Sequence, residues 1–85
     1  MTPVNFNQLY YFYLVAREGS IARISELLHI TPQTISGQIS ALEHSTGSAL
    51  FNRQGKRWTL TEVGRVSYRY AESIFELGDE LRSVL

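Results

Sequence analysis

The sequence contains no cysteine. Disulfides and cysteine-ligated zinc, on which many small domains rely, are therefore excluded, and stability must come from packing. Long apolar runs are missing as well. None approaches the roughly eighteen residues that would span a bilayer, and the N-terminus lacks the basic-then-apolar layout of a secretory signal. The expectation is a cytoplasmic protein with no membrane partner. Catalytic chemistry has little to draw on. Asp79 is the only aspartate, no serine has an activating neighbour in sequence, and no glycine loop is built to hold phosphate. His29 and His44 stand fifteen positions apart without an acidic cluster beside them. That spacing does not suit a metal, and no cofactor is expected. The reading is that of a non-enzyme.

What is present suits one small folded unit. Eighty-five residues supply enough apolar surface for a single core, and 44% hydrophobic residues with ten aromatics argue against disorder. The net charge is zero, which at first sight disfavours a nucleic-acid partner. The distribution reverses that impression. Between Thr46 and Tyr70 lie Arg53, Lys56, Arg57, Arg65 and Arg69 against a single acid, Glu62. From Ala71 onward Glu72, Glu76, Asp79 and Glu80 face only Arg82. One segment attracts phosphate and the other repels it.

Periodicity predicts four helices and a hairpin. The first helix runs from a cap at Asn5, with Gln8 three positions on as in a capping box, to Arg17 and a stop at Gly19. Leu9, Phe12, Tyr13 and Ala16 form its buried stripe. Ser20 caps a short second helix whose Ile21, Ile24, Leu27 and Leu28 share a face; it ends near His29, with Ile30 packed in the turn. Thr31 caps the third helix, Pro32 takes its first position, and the helix extends to about Ser45. Its inner stripe is Ile35, Ile39 and Leu42, which leaves Gln33, Gly37, Ser40 and His44 facing out, flanked by Thr34, Ser36 and Ala41. A solvated face would carry long charged chains; this one is small and polar, suited to contact. Thr46 and Gly47 break the helix, and residues 49–60 read as a β-hairpin with a basic tip. Leu50, Phe51 and Trp58 read as core rather than as a platform for bases, and the five tyrosines mostly as packing residues.

Thr61 caps a last helix of over twenty residues. Val63, Val66, Tyr70, Ile74, Leu77, Leu81 and Val84 recur by threes and fours along it, and no later segment covers them. A partner helix is the economical explanation for so long an uncovered stripe. The division expected is 1–60 as a winged helix-turn-helix domain and 61–85 as a linker and dimerisation helix. Two functional classes fit these features: a binder of double-stranded DNA, with the third helix in the major groove and the basic hairpin on the backbone, and a protein-interaction module built around the last helix. Only the first has a use for the basic hairpin.

The run GSIARISELLHITPQTISGQISALE, followed by the LFNR stretch that ends at Arg53 and by LTEVG at Leu60 to Gly64, resembles the N-terminal domain of LysR-type transcriptional regulators. The resemblance covers nearly the whole chain. TPQTISGQI and YRYAESIFEL are most similar to a branch of activators that serve sodium/proton antiporter genes. What the resemblance implies is a mainly α, winged helix-turn-helix fold: three helices, a two-stranded wing, and a long last helix that pairs antiparallel with a second copy. It implies dimers or tetramers on promoter DNA, bases read from the start of the third helix, the minor groove touched by the wing, and an effector-binding domain that follows. Matching positions carry over Thr31, Thr34, Ser36 and Gln38 of the recognition helix and Arg53, Lys56 and Arg57 of the wing. To these the residue pattern adds Gln33 and Gly37 on the reading face, Arg65 as a phosphate contact, and Val66, Tyr70, Ile74, Leu77, Leu81 and Val84 as the dimer stripe. The chain departs from the family in having Pro32 before Gln33, where glutamine commonly precedes proline, and Gly37 where an arginine often follows the serine. Losing that arginine removes a contact to guanine worth about 1–3 kcal/mol of discrimination and shifts base reading to Gln33 and Thr34.

Overall fold

A computed structural model describes residues 3–85 apart from Lys56. Its elements follow the order α1 (Phe6–Glu18), α2 (Ile21–Leu28), α3 (Pro32–Thr46), β1 (Phe51–Gln54), β2 (Arg57–Leu60) and α4 (Glu62–Val84). Every helix begins where the sequence supplies a side-chain acceptor for an orphan amide. Asn5 Oδ1 accepts from the Gln8 N–H at 3.0 Å and Ser20 Oγ from Arg23 at 3.2 Å. Thr31 Oγ1 accepts from Thr34 at 3.2 Å and Thr61 Oγ1 from Gly64 at 2.9 Å. α1 and α3 stop at left-handed glycines, Gly19 and Gly47. α2 stops at His29, which holds the same conformation at φ 56° without being glycine. Two bonds across the turn hold it there: the Ile30 N–H donates to the Ser25 carbonyl at 3.2 Å, and Ser25 Oγ donates to the Ile30 carbonyl at 2.6 Å.

The core lies where α1 meets α2, α3 and α4. Phe12, Val15, Ile24, Ile35 and Ile39 are its fully buried side chains, joined by Leu9, Tyr13, Leu42, Leu50, Phe51 and Ala71. Two helices bury other side chains than their apolar period predicts. On α1, Val15 is buried and Ala16 only half-buried, because α1 packs on three helices and its inner arc is wider than one stripe. On α2, Leu27 is 56% exposed; the short helix leans on the core through Ile24, with Ile21 and Leu28 beside it, and turns Leu27 to solvent. Among the tyrosines Tyr13 is buried, whereas Tyr10 and Tyr70 are exposed.

β1 and β2 pair antiparallel, with Phe51 opposite Leu60, Arg53 opposite Trp58 and Gln54 opposite Arg57. Gly55 enters the connecting turn at φ 65°, a conformation glycine adopts without strain. The hairpin is anchored by its inner face. Phe51 packs between Phe12 and Trp58 at ring-centre distances of 5.4 and 5.3 Å. Leu50 and Phe51 are thus core, and Trp58 is half-buried beside them.

α4 starts on this hairpin root. The Thr61 N–H donates to the Leu50 carbonyl at 3.0 Å and Thr61 Oγ1 to the Ala49 carbonyl at 2.7 Å. Its first half packs through Ala71 and Phe75. Residues 76–85 are exposed throughout. Among the described residues no helix is long and apolar enough to cross a membrane.

Candidate nucleic-acid interface

The α2 to α3 turn and the start of α3 form one exposed edge. Gln33, Thr34 and Gly37 are exposed, Ser36 and Ser40 half-buried beside them. Gln33, Ser36, Gly37 and Ser40 fall within about a third of a turn of one another on the helix. Thr34 sits at the edge of this face. Its hydroxyl meets that of Thr31 at 2.9 Å, while Thr31 also caps the helix. Gln38 is half-buried and lies about 140° around the helix from Gln33, on the opposite flank. The face carries no charge, and a β-carbon on Gly37 would meet nothing within 4 Å. A second surface can therefore approach the α3 backbone closely there.

The wing adds charge next to this face. Arg57 is exposed at the start of β2 and Arg65 one turn into α4. Among the described residues Arg65 makes only a long contact, 3.5 Å, to the Leu60 carbonyl. Arg69, one further turn along α4, is also exposed. It belongs to the basic segment visible in the sequence. Lys56, expected at the wing tip, lies outside the described residues.

Arg53 is placed differently from what its sequence position suggests. Its guanidinium is engaged by protein groups, although the side chain stays 33% exposed. One nitrogen donates to Ser40 Oγ at 3.1 Å, another pairs with Glu43 Oε1, and Cζ lies over the Trp58 ring, 4.3 Å from its centre. Glu43, which the sequence pattern does not single out, ties α3 to the hairpin. Its second oxygen accepts the N–H groups of Leu50 at 2.7 Å and Phe51 at 3.2 Å. A pattern search could have found it only through the pairing of α3 with the hairpin, which is a tertiary contact.

On α4 the stripe residues Val66, Tyr70, Ile74, Leu77, Leu81 and Val84 are all exposed, Tyr70 at 69% and Leu77 at 63%. Among the described residues nothing covers them. Among the described residues no group of three His, Asp or Glu side chains could hold a metal ion.

A capped helix pair with a tight turn, the second helix uncovered along one polar face and followed by a basic two-stranded wing, defines the winged helix-turn-helix class. The family model described as bacterial regulatory helix-turn-helix protein, lysR family, matches residues 6–65. The chain belongs to that family, as a LysR-type helix-turn-helix DNA-binding domain. It is 44% identical over all of its length to the transcriptional activator protein NhaR of Escherichia coli (strain K12), of which it covers 28%. It is 39% identical over 96% of its length to the RuBisCO operon transcriptional regulator of Allochromatium vinosum, covering 27% of that protein. Among solved structures it resembles the BenM DBD in the BenM DBD/catB site 1 DNA complex, with a TM-score of 0.87 and 29% identity. That match covers 94% of this chain and 89% of the other. The chain thus spans little more than a quarter of the length of the curated relatives it matches.

Proposed function

We propose that this chain is the sequence-specific DNA-binding end of a bacterial, NhaR-like transcription activator that works in the cytoplasm as a homodimer and catalyses no reaction. The observation that carries the proposal is the uncharged, small-residue face of α3 standing beside a wing whose arginine Arg57 is exposed. The likeness to a family member solved with DNA supports it. In this reading α3 enters the major groove, where Gln33, Thr34 and Ser36 face base edges and Gly37 lets the backbone come close. Thr31 holds the start of the helix and also approaches the DNA. Gln38, on the far flank, reaches only the groove wall. Lys56, Arg57 and Arg65 neutralise phosphates and set register. The α4 stripe pairs with a second copy, which places two reading helices on the two halves of a partly symmetric site. The rest of the regulator, including the part that senses an effector, follows this domain.

The test is a fluorescence-anisotropy titration of the domain against duplex DNA over a series of salt concentrations, at protein concentrations that populate the dimer. Affinity that falls steeply as salt rises is the expected result. No binding at low salt, with a dimer confirmed in the same sample, would favour instead a protein-interaction module served by the α4 stripe.

A further inference from the structure

Glu43 and Arg53 form a brace between the reading helix and the wing. The Glu43 carboxylate, 14% exposed as a side chain, spends one oxygen on the amides that begin β1 and the other on Arg53. Arg53 in turn donates to Ser40 on the outer side of α3 and sits over the Trp58 ring of β2. The two residues therefore touch α3 and both strands of the wing. A carboxylate accepts at both oxygens at once, which the isosteric glutamine amide could not do without presenting a donor to a donor. Charge matters equally. A bare carboxylate on α3 beside a phosphate backbone would repel it, and the paired guanidinium removes that penalty.

From this geometry we infer that Glu43 is a positioning residue for DNA recognition: through Arg53 it fixes the wing relative to α3, so that the wing's phosphate contacts and the helix's base contacts are made together. Arg53 is then a brace and not a phosphate ligand. The inference rests on the DNA-binding reading above. It separates two roles that the basic segment alone leaves merged, since Arg53 serves the wing's placement and Arg57 serves the DNA.

The test is a double-mutant cycle on affinity for one duplex, because Glu43 and Arg57 have no contact and a coupling between them reads placement. In the native domain Arg57→Ala is expected to weaken binding about fivefold at moderate salt. In a Glu43→Gln background, where an amide offers one acceptor and one donor, the same change is expected to cost less than about twofold. Arg53→Lys provides a second background that keeps the charge and cannot span Ser40, Glu43 and the Trp58 face together. It is expected to abolish the effect of Arg57→Ala to the same degree, and it serves if Glu43→Gln fails to fold by circular dichroism. Two results overturn the inference while native binding stays intact. One is an Arg57→Ala loss that is unchanged in both backgrounds, which would make the brace a stability feature alone. The other is near-native affinity for Arg53→Lys with the Arg57 contribution preserved, as a direct phosphate contact would give. A native domain that binds no duplex removes the DNA-binding reading itself and this inference with it.

Discussion

Gly64 stands so close to the backbone of Leu50 that a β-carbon there would lie 3.0 Å from the Leu50 carbonyl carbon and closer still to its oxygen. That oxygen is the acceptor for the Thr61 N–H, so the wing root and the start of α4 share one carbonyl. This contact gives a physical reason for glycine in the LTEVG segment. Gly78, on the same helix, has nothing within 4 Å of the corresponding position. Alanine should therefore act oppositely at the two sites. Gly64→Ala is expected to destabilise the domain by about 1–3 kcal/mol through overpacking. Gly78→Ala should stabilise it by up to about 1 kcal/mol through helix propensity. Urea unfolding of the two variants checks both signs, and stabilisation by Gly64→Ala would show that the helix start can shift away from Leu50.

Gly37 separates stability from function. It lies inside α3 with open space beyond it, so Gly37→Ala should raise stability by about 0.5–1 kcal/mol. If the α3 backbone approaches DNA there, the added methyl should also weaken binding. Thermal melts and anisotropy on one sample read the two effects, and a variant that gains stability with unchanged affinity would move the point of closest approach elsewhere on α3.

The α4 stripe should hold the dimer. Leu77 is exposed within a run of apolar side chains that no other described residue covers, and an unpaired helix of this character is marginal in water. Leu77→Glu is expected to turn a dimer into a monomer by sedimentation velocity while the helix content of α1 to α3 persists. A native chain that stays monomeric at concentrations of about 100 μM, where even weak association fills, would contradict the pairing.

Tyr68 gives the fold a response to alkali. Its ring stacks on Tyr13 at 5.7 Å. Burial first, then the Glu72 carboxylate, raises its phenol above the ordinary value; Tyr13 adds to the shift and Arg17 opposes it. The folded state thus holds the proton more tightly than the unfolded chain. Its contribution is complete below the unfolded value near about pH 10 and is lost as the pH climbs through the folded value. Unfolding free energies should fall above about pH 10, less steeply in Tyr68→Phe. Identical slopes for the two proteins would remove Tyr68 as the cause.

Much of this architecture can be read from the chain because its signals are local. Asn5, Ser20, Thr31 and Thr61 cap because a short acceptor precedes an apolar period, and Gly19 and Gly47 end helices because they tolerate a left-handed backbone. α3 extends one residue past its expected end, to Thr46, whose hydroxyl donates back to the Leu42 carbonyl at 3.0 Å. What the pattern misses depends on neighbours. The period that puts Leu27 and Ala16 inward gives a face without its width, and width follows from how many helices pack against it. Arg53 reads as a free cation until Glu43, ten positions away, is brought to it.

In the proposed complex α3 reads bases and the wing holds phosphates. Selection of preferred duplexes from a random library by the native domain, Gln33→Ala and Arg57→Ala, with the salt dependence of each, checks this division of labour. Gln33→Ala is expected to select a different sequence at one or two positions and to keep the native salt slope. Arg57→Ala should select the native sequence with uniformly lower affinity and a salt slope shallower by about one. Equal changes in sequence preference and salt slope for the two variants would contradict the account.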